Sequence, residues 1–399
     1  MKNISLVIPS YNNLRHLKNA YESVRKFYKK TELILIDDGS DDGTIEWLES
    51  LKDSNLVFWR EENRIGHTVL YDKGIDKASN DIIGILHADM YIAPNYIENL
   101  VKHLKPGVVV CGTRVEPPLH PPGKEKIIQD FGLDFDSLKI DEFYKFAEQE
   151  SKDSKDITTK GMFAPWILYK SDFQHIGGHD WGFAPFPYED SDIFQRWILA
   201  GYELIQSRDA LVYHLTCRGH RWNDKAGGEV GKNDDLFAIF EKKAQRHYIR
   251  KWGSWIKNDE YQMPIIPPKY DVAFRVINNN LKLMEALEPW CSVYYGDGHW
   301  VQYSHYINQE QPNTKFNLND RIKPNDPSLH DFNHGVVVEI DGHKINEQDF
   351  QILQILSEVL KEGGEVGEFE YGNMKIIIND LTTFEKDLIF ITNDNNEKD

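Results

Sequence analysis

Two short apolar runs in this chain end in acids, and that pattern restricts the fold more than any other feature. Ile82-Ile83-Gly84-Ile85-Leu86 leads into His87-Ala88-Asp89, and earlier Leu33-Ile34-Leu35-Ile36 leads into Asp37-Asp38-Gly39-Ser40. Apolar strands without alternation are buried on both faces. Carboxylates just past their C-terminal ends mark the ligand-binding edge of a parallel α/β sheet. A third acidic group, Glu189-Asp190-Ser191-Asp192, opens a later amphipathic segment, and His214 ends the apolar run Ala210-Leu211-Val212-Tyr213. Such a set suits a diphosphate-bearing ligand, a divalent metal and a general base.

The alternation of elements agrees. Strands are expected at Ile4–Ile8, Leu33–Ile36, Leu56–Phe58, Ile82–Leu86 and Val108–Cys111, with helices at Leu14–Phe27, Thr44–Leu51, Gly66–Ala78 and Pro94–His103. Repeated βα units imply a mostly parallel sheet with helices on both faces. Residues 113–160 break this rhythm with Pro117-Pro118, Pro121-Pro122 and the charged stretch Glu148–Asp156, which has little reason to pack. They read as a long excursion, a lid or an acceptor-side insertion. Order resumes with the Gly177-Gly178 turn, a helix from about Ser191 to Ala200, and strands Tyr202–Ile205 and Ala210–His214. An aromatic helix, Asp235–Trp255, is expected to pack back on this unit.

Pro264, Pro267 and Pro268 mark a boundary. The expected organisation is one α/β domain over 1–260, with a nucleotide-sugar half at 1–112 and an acceptor half at 160–215. A linker or extension follows at 261–330, then a small α+β module at 331–399, built from strand Val336–Ile340, helix Glu347–Leu360 and strands Val366–Tyr371 and Met374–Ile378. That module offers a surface for oligomer formation. Residues Asn393–Asp399 are expected to be frayed.

A formal charge of -18 argues against a nucleic-acid partner, because phosphate binding needs concentrated Lys and Arg. Cys111, Cys217 and Cys291 are scattered without metal or disulfide spacing, which fits a reducing compartment. No apolar stretch approaches the roughly 20 residues of a membrane span, and no signal peptide is expected. The chain reads as cytoplasmic, or peripheral to a membrane.

Each candidate side chain carries two readings. Asp38 is placed to accept hydrogen bonds from a nucleobase edge or ribose, or it caps a polar βα turn. Asp89 is an oxygen ligand for a hard cation or a solvated strand end, and His87 beside it suits Mn²⁺ better than Mg²⁺. Glu189 and Asp190 complement a helix dipole or hold a carboxylate ready to take a proton, with Trp181 and its aromatic neighbours able to stack on a sugar. His214 is a core histidine or a metal ligand. Arg64, near a helix start, suits a phosphate. His67, His175, His179 and His220 are further polar candidates.

Ile4-Ser5-Leu6-Val7-Ile8-Pro9-Ser10-Tyr11-Asn12, Ile36-Asp37-Asp38-Gly39-Ser40, Glu62-Asn63-Arg64-Ile65-Gly66, His87-Ala88-Asp89, Gly177-Gly178 and Tyr188-Glu189-Asp190-Ser191-Asp192 occur in this order. The series resembles the family 2 inverting glycosyltransferases of GT-A fold, over roughly residues 3–215. The resemblance implies a Rossmann-like mixed sheet and transfer of a sugar from a nucleotide-diphosphate sugar to a glycan or other hydroxyl acceptor. It implies Pro9 and Tyr11 beside the nucleotide base, Asp38 reading its edge, and His87 at the donor or metal. Asp89 would hold Mn²⁺ or Mg²⁺, His214 would join the metal or diphosphate, and Asp190 would be the catalytic base; Trp181 and Glu189 fall on the acceptor side. One departure is His87, which stands where the family's D-x-D signature has its first acid. A carbohydrate-binding or scaffold protein with a degenerate site is the alternative. A sugar nucleotidyltransferase is another, although Pro9-Ser10-Tyr11-Asn12-Asn13 is not the Gly-rich basic loop it needs.

Overall fold

The computed structural model describes residues 3–218, 221–222, 233, 235–298 and 300–393. His220 and residues 394–399 of the expected frayed end lie outside the described residues. The chain divides into two units. The first is Met1–Glu241, Asn258–Ile265 and Phe390–Asp399, and the second is Lys242–Lys257 and Ile266–Ile389.

Strands of the first unit are β1 (Ile4–Ser10), β2 (Glu32–Asp37), β3 (Leu56–Arg60), β4 (Ile82–Ile85), β5 (Met90–Ile92), β6 (Val108–Glu116), β7 (Lys126–Ile128), β8 (Thr158–Thr159), β9 (Trp166–Tyr169) and β10 (Glu203–His214). They form one mixed sheet in the order β3-β2-β1-β4-β9-β6-β10-β5, with β7 on β6 and β8 on β10. The fold class expected from the sequence holds. Strands β1, β2, β3 and β4 pair in parallel, as do β6 and β10. Because β9 is antiparallel to both β4 and β6, these strands all point one way. Every residue of β1, β4 and β6 is buried, which is why their runs lack alternation.

Helix Leu14–Phe27 buries Leu17, Ala20 and Val24, the spacing of one helical face. Arg25 and Lys26 close it favourably for the dipole. The excursion is more ordered than its composition predicts. Its helix Ile140–Asp153 buries Phe143 and Ala147, so most of the charged stretch is the outer face and last turns of a packed helix. Strand β6 runs five residues past the expected end at Cys111, to Glu116. The two short strands expected at 202–214 are one, β10, carried through a register shift between Gln206 and Leu211. Asn393 is held rather than frayed: its side chain accepts from Trp181 N at 3.1 Å and donates to His179 O at 2.8 Å.

The second unit differs from the expected linker and tail. Its strands are β11 (Val272–Ile277), β12 (Val293–Gly296), β13 (Ile322–Pro324), β14 (Val336–Asp341), β15 (Gly367–Tyr371) and β16 (Met374–Ile378). They make a single sheet, β13-β12-β11-β14-β16-β15, in which β11 pairs in parallel with β12 and β14. Residues 261–330 thus contribute three strands to the sheet that the tail completes. Short strands between aromatic helices hide that periodicity in the sequence. Residues 242–257 also belong to this unit, not to the first: Arg250, fully buried, donates to Glu288 at 2.7 Å, and Arg321 meets the same carboxylate at 2.8 Å. The expected helix Glu347–Leu360 is two helices, Glu347–Gln354 and Leu356–Gly363, broken at Ile355.

Candidate active site

The parallel strands deliver their C-terminal ends to one cavity of about 570 Å³. Pro9 and Tyr11 come from β1, Asp38 from β2, His87 and Asp89 from β4, Glu116 from β6 and His214 from β10. Glu189 and Asp190 enter from the first turn of helix Glu189–Leu199, and Arg64 from the loop after β3. Nine sequence candidates therefore share one wall system with Glu116, and Trp181 is turned elsewhere. Its indole N–H donates to Asp72 Oδ2 at 3.0 Å, in a buried cluster where Asp72 also meets His179 Nδ1 at 2.7 Å. That pairing keeps His179 away from the metal candidates, and His175 packs edge-on against Phe390.

The two adjacent acids after β2 have separate tasks. Asp37 is fully buried and accepts from Ser40 N at 2.9 Å, closing the turn. Asp38 accepts from Ile65 N at 2.7 Å and from Gly66 N at 3.0 Å. Burial raises its carboxyl to about 6, against the pull of those two amides. It fastens the 62–66 loop to the sheet edge, and a carboxylate has further lone pairs for a ligand. Gly66 has φ +92°, and a Cβ there would sit 2.2 Å from Pro185 Cα, so this close approach needs glycine. Arg64 lies with its guanidinium 4.0 Å from the centre of the Tyr11 ring, covering one face of it.

His87, Asp89 and His214 bring one ligand atom each within 4.8 Å of one another. His214 Nε2 is 3.8 Å from Asp89 Oδ1, and its Nδ1 is 2.8 Å from Glu116 Oε1. Asp89 Oδ2 accepts from Arg218 N at 2.9 Å, leaving Oδ1 toward the histidine. Burial pushes the His87 imidazole down to about 3, so at neutral pH it is uncharged, the form that binds metal. Burial works against ionised Asp89, but attraction to His214 and His16 and the hydrogen bond from the Arg218 amide outweigh it and hold the carboxyl below its ordinary range. The donor set of two imidazoles and one carboxylate fits a borderline divalent ion such as Mn²⁺.

On the facing helix, His67 Nε2 lies 2.6 Å from Glu189 Oε1 and stacks on Phe186 with ring centres 5.7 Å apart. Burial opposes charge on both partners, yet their mutual attraction holds Glu189 at about 2 and raises His67. Asp190, one residue on, is raised to about 7 by desolvation and then by the Glu189 charge. Two adjacent carboxyls are thus pushed apart in acidity, as an acid–base pair requires.

Glu116 and Arg114 escaped the sequence reading because the apolar run of β6 falters at Gly112. The alternation Thr113-Arg114-Val115-Glu116 was the available signal of a longer strand. His67 stood among the secondary candidates, and only its position opposite Glu189 distinguishes it.

Residues 5–174 match the family model described as glycosyl transferase family 2. The chain is 24% identical over 277 residues to an uncharacterized glycosyltransferase, YfnE, of Bacillus subtilis (strain 168), covering 57% of this chain and 68% of that one. It is 31% identical over 118 residues to an undecaprenyl-phosphate 4-deoxy-4-formamido-L-arabinose transferase of Proteus mirabilis (strain HI4320), covering 28% of this chain and 36% of the relative. A structure of GalNAc-T7 with UDP, GalNAc and Mn²⁺ superimposes with a TM-score of 0.42 at 18% identity, over 54% of this chain and 44% of that one. A likeness that slight carries no argument about the site. The matched segment ends before Glu189, Asp190 and His214, whose roles rest on geometry. The likeness to glycosyl transferase family 2 thus rests on residues 5–174, less than half of the chain.

Proposed function

We propose that this protein transfers a sugar from a nucleotide-diphosphate sugar to an acceptor hydroxyl by a single displacement that inverts the anomeric carbon. The observation that carries the reading is the pair Glu189 and Asp190. One acid is locked as an ion pair with His67, and the other is raised to about 7 in the same cavity as a three-residue metal set.

Asp190 takes the proton of the acceptor hydroxyl as the oxygen attacks. A carboxylate with acidity near neutral is a stronger base than an exposed one while still substantially ionised at working pH. Glu189 sustains that acidity by its charge. Its Oε2 is buried without a hydrogen-bond partner among the described residues, in a side chain that lines the cavity. Asp89, His214 and His87 would hold Mn²⁺ or Mg²⁺, and Glu116 keeps His214 oriented with Nε2 toward Asp89. The ion, when bound, neutralises charge building on the departing nucleotide diphosphate. Tyr11 and Pro9 border the base, Asp38 meets its edge, and Arg64 beside the helix start at His67 serves the phosphates.

The test is nucleotide diphosphate release from a panel of nucleotide sugars, with Mn²⁺ and with Mg²⁺. Release that rises with an acceptor supports transfer. Binding of donors without any release supports the carbohydrate-binding alternative instead.

A further inference from the structure

A second acidic feature of the cavity lies away from Asp190, on the excursion that follows β6. Glu125 is only 4% exposed and lines the cavity. Its Oε1 is 3.3 Å from Arg114 Nη2, while its Oε2 is buried with no hydrogen-bond partner among the described residues. An ionised oxygen left so is costly unless a ligand supplies donors. The position is built rather than accidental. Lys126 pairs with Arg114 as β7 joins β6, and Gln206 Nε2 donates to the Glu125 carbonyl at 2.6 Å. A Cβ at Gly123 would lie 2.0 Å from Glu125 Oε2, so the loop passes close against the carboxylate.

Resting on the transfer reading above, we propose that Glu125, with Arg114, forms an acceptor subsite that grips the hydroxyls of a neutral sugar ring. The Oε2 atom accepts from a hydroxyl, and the Arg114 guanidinium, seated 3.7 Å over the Phe163 ring, is fixed to donate to another. Pro121 and Pro122, which also line this wall, offer apolar surface to the ring's C–H face. The charge balance favours a neutral acceptor over a phosphate. Arg114 Nη1 is 2.6 Å and Lys126 Nζ 3.0 Å from Glu116, and Arg114 Nη2 is 3.3 Å from Glu125, so the two cations are balanced by these two carboxylates with no positive charge left over. A phosphate arriving here would face Glu116 and Glu125 together.

Saturation-transfer NMR on the full chain tests this, with UDP or GDP and Mn²⁺ present. The probes are methyl glycosides of glucose, galactose, mannose and N-acetylglucosamine, and decyl phosphate. At least one glycoside is expected to bind, and Glu125→Gln is expected to weaken it about tenfold or more, the value of a hydrogen bond to a charged group. Glu125→Asp, which keeps the charge but withdraws its reach, is expected to weaken it similarly. Melting temperature and nucleoside diphosphate binding on the same samples report folding and the donor half. Glycoside binding that both variants retain overturns the subsite, leaving Glu125 as a partner for Arg114. So does binding of decyl phosphate in preference to every glycoside, or of no glycoside at all, by a wild type that binds nucleoside diphosphate. Failure to bind either nucleoside diphosphate would overturn the transfer reading itself.

Discussion

His214 Nδ1 lies 2.8 Å from Glu116 Oε1, and this contact decides which ring nitrogen faces Asp89. Glu116 is held in turn by Arg114 and Lys126, and burial of its charge is outweighed by these cations and by His214. The carboxylate therefore stays ionised and accepts the Nδ1 proton, leaving Nε2 to face Asp89.

Glu116→Gln is expected to reduce Mn²⁺ affinity by about 10–100-fold while leaving the ligand atoms in place. Isothermal titration with Mn²⁺ measures it. An unchanged affinity would mean that Glu116 does not orient the histidine.

Asp190→Asn is expected to lower transfer by roughly 10²–10⁴-fold with donor binding nearly intact. In the wild type, transfer is expected to rise with pH through about 7, where Asp190 loses its proton. Stability runs the other way. The folded state holds this proton more tightly than the unfolded chain, so the raised carboxyl costs stability as pH climbs from the ordinary carboxylate range through about 7. The melting temperature of the variant should therefore gain on the wild type more at about pH 8 than at about pH 5. An equal difference at both values would remove the raised acidity from the account.

Chelation is expected to abolish donor turnover, and Mn²⁺ is expected to restore it better than Mg²⁺, because two of the three candidate ligands are imidazoles. Titrating each ion into the chelated enzyme decides. Full activity in excess chelator removes the metal from the mechanism, and equal rescue by both ions removes the argument from the histidines.

Gly66→Ala is expected to destabilise the first unit by about 1–3 kcal/mol, since it combines a positive φ with a backbone clash at Pro185. The loop it displaces donates two hydrogen bonds to Asp38, so donor affinity should fall as well. Thermal melting and nucleoside diphosphate titration test both effects.

A chain ending at Asn325 is expected to lose the second unit. The cut removes β14, which pairs with β11 along Val272–Ile277, and takes Val336, Val338 and Ile340 from the same apolar core as Phe274 and Tyr294. Limited proteolysis should show residues 266–325 becoming labile. Persistence of a protected 266–325 fragment would place the folding boundary where the Asn-rich sequence first suggests it.

The apolar runs ending at Asp38 and Asp89, the acids before Ile193 and the histidine after Tyr213 were sufficient to identify the sheet edge and the residues on it. Strand burial and helix starts are local properties, written in consecutive residues. What local pattern leaves out is pairing between distant segments. Trp181 reads as a stacking platform beside Glu189, yet Asp72, more than a hundred residues earlier, claims its N–H at 3.0 Å. Glu125 reads as one charge in a proline-rich excursion until β7 docks on β6 and sets it beside Arg114. The acidities of Glu189 and Asp190 are equally non-local: two neighbouring carboxyls on one helix turn diverge because His67, from another helix, closes on the first and leaves the second in a desolvated cavity with a charge beside it. Chain chemistry names the candidates, and only tertiary packing assigns each one its partner, because burial and Coulomb attraction act through space rather than along the sequence.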